Sequence, residues 1–240
     1  MEEIDNLLSK IEEIIEQCNE TPSEGFKKTI RDISEKLKNN PSEIPREPII
    51  DRLLQLIATT GSYGLTLEMN EIISLCRLLY QQTGNEAITV KWGYALLNGI
   101  INYNNNDDLV AAEKLLKELT TLFKSYPRNI ELSEIYAQGC VGILNMYATE
   151  GNFRMTKNYL QELKLLLNLS YASQDLISII AEGMVNAIES FANAKKYSTD
   201  QIQWVIKEIK TLVETHRDSP YLDKLFKNAC YNALTVLKNS

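Results

Sequence analysis

The sequence predicts an all-α protein built from stacked helical hairpins. Three observations carry that reading: a block of about 44 residues recurs, each block holds two apolar stripes at helical spacing, and the composition is that of a helix former. The block is anchored on Asn98, Gly142, Asn186 and Asn232, which stand 44, 44 and 46 residues apart. Three positions before each anchor comes a small residue: Ala95, Gly139, Gly183 and Ala229. Six positions before it sit Trp92, Tyr136, Ile180 and Phe226, and five after it Tyr103, Tyr147, Phe191 and Leu237. Self-similarity at a fixed period marks an array in which each unit buries its apolar face by stacking on the next.

Within a block the two stripes define a helix A and a helix B. The B columns are Ile72, Leu116, Leu160 and Ile206; Leu75, Leu119, Leu163 and Ile209; and Leu79, Phe123, Leu167 and Val213. They fall at i, i+3 and i+7, the stripe of an amphipathic helix. The opposite face is charged, as in Glu113, Lys114, Lys117 and Glu118. Helix B is expected over 67–81, 107–125, 152–168 and 199–215. Asp107 or Asp108, Asn152 and Ser198 precede B helices and offer side-chain oxygens to their free N–H groups. Helix A is expected over 85–104, 129–149, 173–193 and 220–238. Gly84, Pro127 and Pro220 break the chain at B-to-A junctions, and Gly151 lies between A and B in the third block.

The N-terminal third follows the pattern loosely. Ile4, Leu7, Leu8, Ile11, Ile14 and Ile15 predict a helix at about 3–18, and Phe26, Ile30, Ile33 and Leu37 another at about 23–38. Pro41, Pro45 and Pro48 predict a non-helical connection. A helix over 48–60 follows, then a turn at Gly61 and Gly64. About eleven helices are expected, divided into an N-terminal hairpin or cap (1–45) and a repeat array (46–240).

Composition narrows the functional classes. Of 240 residues, 44% are hydrophobic and 24% charged, with only 10 Gly and 6 Pro. The net charge is −7. Nucleic-acid affinity comes from phosphate neutralisation by Lys and Arg, so no nucleic-acid partner is expected. No continuous apolar segment of spanning length appears, so no membrane partner is expected either. The acidic start MEEIDNLLSK lacks a secretory signal's basic and apolar regions, and the chain reads as cytoplasmic. Cys18, Cys76, Cys140 and Cys230 lie far apart in apolar helical stretches and read as buried reduced thiols.

Helix A is apolar around most of its circumference, which predicts burial between neighbours, with helix B as the outer wall. The small residues at 95 and its equivalents, followed four positions on by Gly99, Ala187 and Ala233, let a neighbouring backbone approach closely; Ile143 takes the later place in the remaining block. A narrow polar strip remains, formed by Tyr94, Gln138, Glu182 and Asn228, then Asn98, Asn186 and Asn232, then Asn145 and Glu189. The recurring Asn has two readings, because Asn is a poor interior helix residue. It forms either an amide ladder for an extended peptide backbone or inter-helix hydrogen bonds that set register. Gly142 interrupts the column. Tyr94 is expected to be exposed.

Paired antiparallel helices, the small-residue notch and the aromatic before it resemble the tetratricopeptide-type and armadillo/HEAT-type α-solenoid families over about residues 48–240. The segment YPRNIELSEIYAQGCVGILNMYATEGNF at 126–153 is similar to the former, with longer helices. The period exceeds the tetratricopeptide period of about 34. The resemblance implies peptide or protein partners on a concave face, where some members hold a partner's backbone with Asn side chains. The expected fold is all-α, a right-handed α-α superhelix of about five antiparallel helix pairs plus a C-terminal helix.

Catalysis finds little support. Glu182 and Glu189 project onto one side of a helix, but no nucleophile, metal-ligand partner or phosphate loop accompanies them. His216, the one histidine, falls at a B-helix C-terminus, where a cation suits the dipole. With Arg217 and Asp218 it spells a kinase-like triplet, without the Gly-rich loop, strand lysine or Asp-Phe-Gly of that chemistry. The expectation is a non-catalytic scaffold with no cofactor and no metal, binding a protein or peptide partner. The alternatives are a HEAT-like nucleic-acid-acting enzyme or module and a self-associating structural subunit, a homo-oligomer.

Overall fold

The computed structural model describes residues 2–17, 24–39, 46–169, 172–194, 198–216 and 220–238. Eleven α-helices and no strands occur among them: α1 Glu2–Gln17, α2 Glu24–Asn39, α3 Arg46–Ser62, α4 Thr66–Thr83, α5 Glu86–Asn105, α6 Leu109–Ser125, α7 Ile130–Thr149, α8 Phe153–Leu167, α9 Gln174–Ala194, α10 Thr199–Thr215 and α11 Pro220–Lys238. The all-α reading holds, and every expected helix A and helix B is present. The chain divides into two compact units, residues 1–124 and 125–240.

In the first unit α1, α3 and α5 pack side by side, and α2 and α4 form a second row against them. Helix α6 joins that second row: Arg77 of α4 forks onto Glu118 of α6 at 3.0 and 3.2 Å. The first two helices are tied into the unit, α1 against α3 and α2 against α4. Arg52 of α3 makes two 2.8 Å hydrogen bonds to the Glu12 carboxylate of α1. In the second unit α7, α9 and α11 form one row, with α8 and α10 packed across it. Lys164 of α8 pairs with Glu208 of α10.

Burial follows the patterning. Twelve of the twenty residues of α5 and twelve of the twenty of α7 are buried, against five of seventeen in α6. An all-round apolar helix goes inside and a one-sided helix goes outside. The small-residue column is buried throughout: Ala95, Gly139, Gly183 and Ala229. At Gly183 the reason is visible. A Cβ there would lie 2.6 Å from Val141 Cγ2 on α7, closer than carbon atoms pack.

Helix ends are set by local chemistry. Asp108 Oδ1 accepts the Ala111 N–H at 3.0 Å, and Asn152 Oδ1 accepts that of Met155. Ser198 and Gln201 form a reciprocal capping box. Asp107 instead adopts a left-handed φ of 55°, the position that Gly151 fills with φ 75° one period later. The A helices have caps of their own, Asn85, Asn129 and Ser173, spaced 44 residues apart.

Two sequence expectations change around α3. The helix starts at Arg46, so Pro48 sits in its first turn, where a missing N–H is harmless. Pro41 and Pro45 lie outside the described residues. Gly61 belongs to α3 rather than to the turn, which is made by Gly64 with φ 70°. The buried Asn102 of α5 fills the space where a Gly61 side chain would go, and its Nδ2 donates to the Ile57 carbonyl at 3.0 Å.

Candidate functional site

The polar strip begins as a property of helix register. Residues at i, i+4 and i+7 share one side of a helix, so 138 and 145 share a side of α7, 182, 186 and 189 a side of α9, and 228 and 232 a side of α11. Because α7 packs on α9 and α9 on α11, seven of the nine sequence-predicted residues fall on one row of neighbouring helices. The other two, Tyr94 and Asn98, lie on α5 of the first unit and are half-buried. Tyr94 is therefore less open than its wheel position suggests.

Gln138, Glu182, Asn186, Glu189 and Asn228 are exposed, while Asn145 and Asn232 are half-buried. Close packing on the remaining faces fixes their backbone. Ile135, Cys140, Ile143 and Leu144 of α7, and Ile180, Ala181, Met184 and Ile188 of α9, are each at most 1% exposed. The strip thus rides on rigid helices rather than on loops.

Its side chains interact in pairs rather than as a ladder of like amides. Asn232 Nδ2 on α11 donates to Glu189 Oε1 on α9 at 2.5 Å. The Tyr221 hydroxyl at the start of α11 donates to Glu182. That hydrogen bond, with some burial and the nearby negative charge, holds the Tyr221 phenol above its ordinary pKa. Asn186 stands exposed between these two pairs along α9. On α7, Asn145 Oδ1 is buried and has no hydrogen-bond partner among the described residues. A buried acceptor left unpaired costs about 1–3 kcal/mol.

Tyr221 was not legible as a strip residue. It precedes the repeat columns, and only its 39-residue reach back to Glu182 brings it in. A parallel contact of the same reach joins Ser173, the N-cap of α9, to Glu134 of α7 at 2.5 Å, so the start of an A helix leaning on its predecessor is the signal that could have found it.

Two buried thiols, Cys140 on α7 and Cys76 on α4 of the first unit, are held protonated. Burial pushes the Cys140 thiol up to about 12, and pushes Cys76 higher still. Neither supplies a thiolate at neutral pH. Cys230 is half-buried, and Cys18 lies outside the described residues. His216 caps the C-terminus of α10, its N–H donating to the Leu212 carbonyl at 3.1 Å. Arg217 and Asp218 lie outside the described residues. No group of three or more His, Cys, Asp and Glu among the described residues is placed to hold a metal ion. No described helix is long and apolar enough to cross a membrane. Comparison of the chain with protein-family models, curated proteins and solved structures gives no match.

Proposed function

We propose that the chain is a non-catalytic binding module, and that the exposed side of α7, α9 and α11 receives a peptide or protein segment. One observation carries the reading: the exposed amides and carboxylates of Gln138, Glu182, Asn186, Glu189 and Asn228 line one side of closely packed helices, beside the unpartnered Oδ1 of Asn145. An extended backbone offers N–H donors at regular spacing. The exposed Glu182 and Glu189 carboxylates accept such donors, and the amides of Gln138, Asn186 and Asn228 donate to its carbonyls; the buried Asn145 Oδ1 joins them once its side chain turns outward on binding. The resemblance to α-solenoid families, with a right-handed superhelix and a concave binding face, is part of the same proposal.

A display selection of random peptides on the full chain tests it. Selected peptides bind wild type and lose about tenfold in affinity, ~1.4 kcal/mol, in Asn186→Ala/Glu189→Gln. Asn145→Leu weakens the same peptides while leaving the melting temperature unchanged or raised, because it removes an unsatisfied acceptor at similar volume. Peptides indifferent to all three substitutions would remove the strip from the reading. A loss of several kcal/mol in stability at Asn145→Leu would make that amide structural instead.

A further inference from the structure

Helix α2 carries a line of positive charge. Lys27, Arg31 and Lys38 stand at i, i+4 and i+11, within an arc of about 40° and an axial span of about 16 Å. All three are exposed, and none takes part in an ion pair among the described residues. They edge a cleft of about 460 Å³ between α2 and α4. Its floor is apolar: Ile30 is 6% exposed, Leu75 3%, and Leu78 is half-buried. Across the cleft Arg77 is already neutralised by Glu118, and Glu71 adds a negative charge. The cationic line thus belongs to one wall, in a chain whose net charge is −7.

We propose that this cleft docks an acidic amphipathic helix of a partner protein, with carboxylates at i, i+4 and i+11 facing Lys27, Arg31 and Lys38. Two helices laid side by side share a rise of 1.5 Å per residue, so a row of carboxylates stays in register with the row of cations over three turns. Apolar side chains flanking that row reach the floor formed by Ile30, Leu75 and Leu78. Single-stranded nucleic acid fits less well. No aromatic ring lines the cleft to stack a base. The site lies in the first unit, apart from the strip on α7, α9 and α11, and stands or falls separately from it.

The test is fluorescence anisotropy of the full chain with a labelled synthetic helix of about 15 residues carrying Glu at the three matched positions and Leu beside them. Saturable binding that weakens with added salt is expected. Lys27→Glu/Arg31→Glu/Lys38→Glu should weaken it at least tenfold, and a peptide with Lys at the three positions should bind that variant and not wild type. Asn186→Ala should leave the affinity unchanged. Where the triple variant melts early, Arg31→Glu with the charge-swapped peptide is read in its place. Equal binding of a scrambled peptide of the same composition, unchanged binding by the variants, or tighter binding of an oligonucleotide of equal charge would overturn the proposal.

Discussion

Substituting Gly61 by alanine should destabilise the protein, although alanine is the better helix former. A Cβ at Gly61 would lie 1.8 Å from Asn102 Cγ and 2.0 Å from both terminal atoms of that amide. Asn102 is 7% exposed, and its Nδ2 is held by the Ile57 carbonyl at 3.0 Å and lies 3.4 Å from Met69 Sδ. All three atoms belong to the terminal amide, so relief requires turning Asn102 about χ1, which carries the amide off the Ile57 carbonyl and into close-packed surroundings. Overpacking costs about 1–3 kcal/mol. Driving a buried amide off its acceptor costs about 1–3 kcal/mol more. The better propensity of alanine offsets about 1 kcal/mol. The net expectation for Gly61→Ala is a loss of about 1–5 kcal/mol. Urea unfolding followed by circular dichroism measures it as a fall in midpoint at constant slope. Asn102→Ala removes the obstructing group, so Gly61→Ala/Asn102→Ala should lose less than the sum of the single variants, by about 1–3 kcal/mol. A neutral or stabilising Gly61→Ala, or strictly additive effects, would refute the close approach of α3 and α5 at this point.

Three further outcomes are expected. Gly183→Leu should destabilise strongly and Gly183→Ala mildly, since Val141 already stands 2.6 Å from a Cβ at that position; thermal melts that rank Leu at or above wild type would contradict the notch. The Arg52 hydrogen bond holds the Glu12 carboxyl below its ordinary value. A depressed folded pKa stabilises above the unfolded value of about 4.5 and is lost as pH falls through the folded one, so Glu12→Gln should erase part of the stability at neutral pH and shrink the gap to wild type in acid; a constant gap across pH 2–7 would contradict the pairing. Iodoacetamide at pH 8 should label Cys230 in the folded protein well before Cys76 and Cys140, whose buried thiols stay protonated; mass-spectrometric mapping showing equal rates would contradict that order.

The secondary structure was legible because it is local. Each stripe at i, i+3 and i+7 lies within one helix, and each stop signal lies within a few residues of the break it makes. The N-caps of the A helices, Asn85, Asn129 and Ser173, were not singled out in the sequence although they recur at the block's own period; the Gly84 and Pro127 breaks beside the first two drew the reading instead. The Asp107–Asp108 ambiguity was different, because two adjacent residues of the same type both satisfy the capping rule. Only the backbone separates them, Asp107 taking the left-handed φ of 55° and leaving Asp108 to cap.

The sequence by itself determined that the chain is helical, where its helices run, which ones are buried, and that a column of small residues lies at helix contacts. Those properties depend on periodicity and side-chain size, which are written residue by residue. Tertiary structure decided the rest. It placed Asn102 in the space beside Gly61, drew Tyr221 onto Glu182 and Asn232 onto Glu189, left Asn145 Oδ1 without a donor, and set the cations of α2 along a cleft with α4. It also divided a repeat that runs on without interruption into units 1–124 and 125–240. Each of these depends on how far one helix slides and turns against another, a degree of freedom fixed by close packing across the interface and carried by no local pattern.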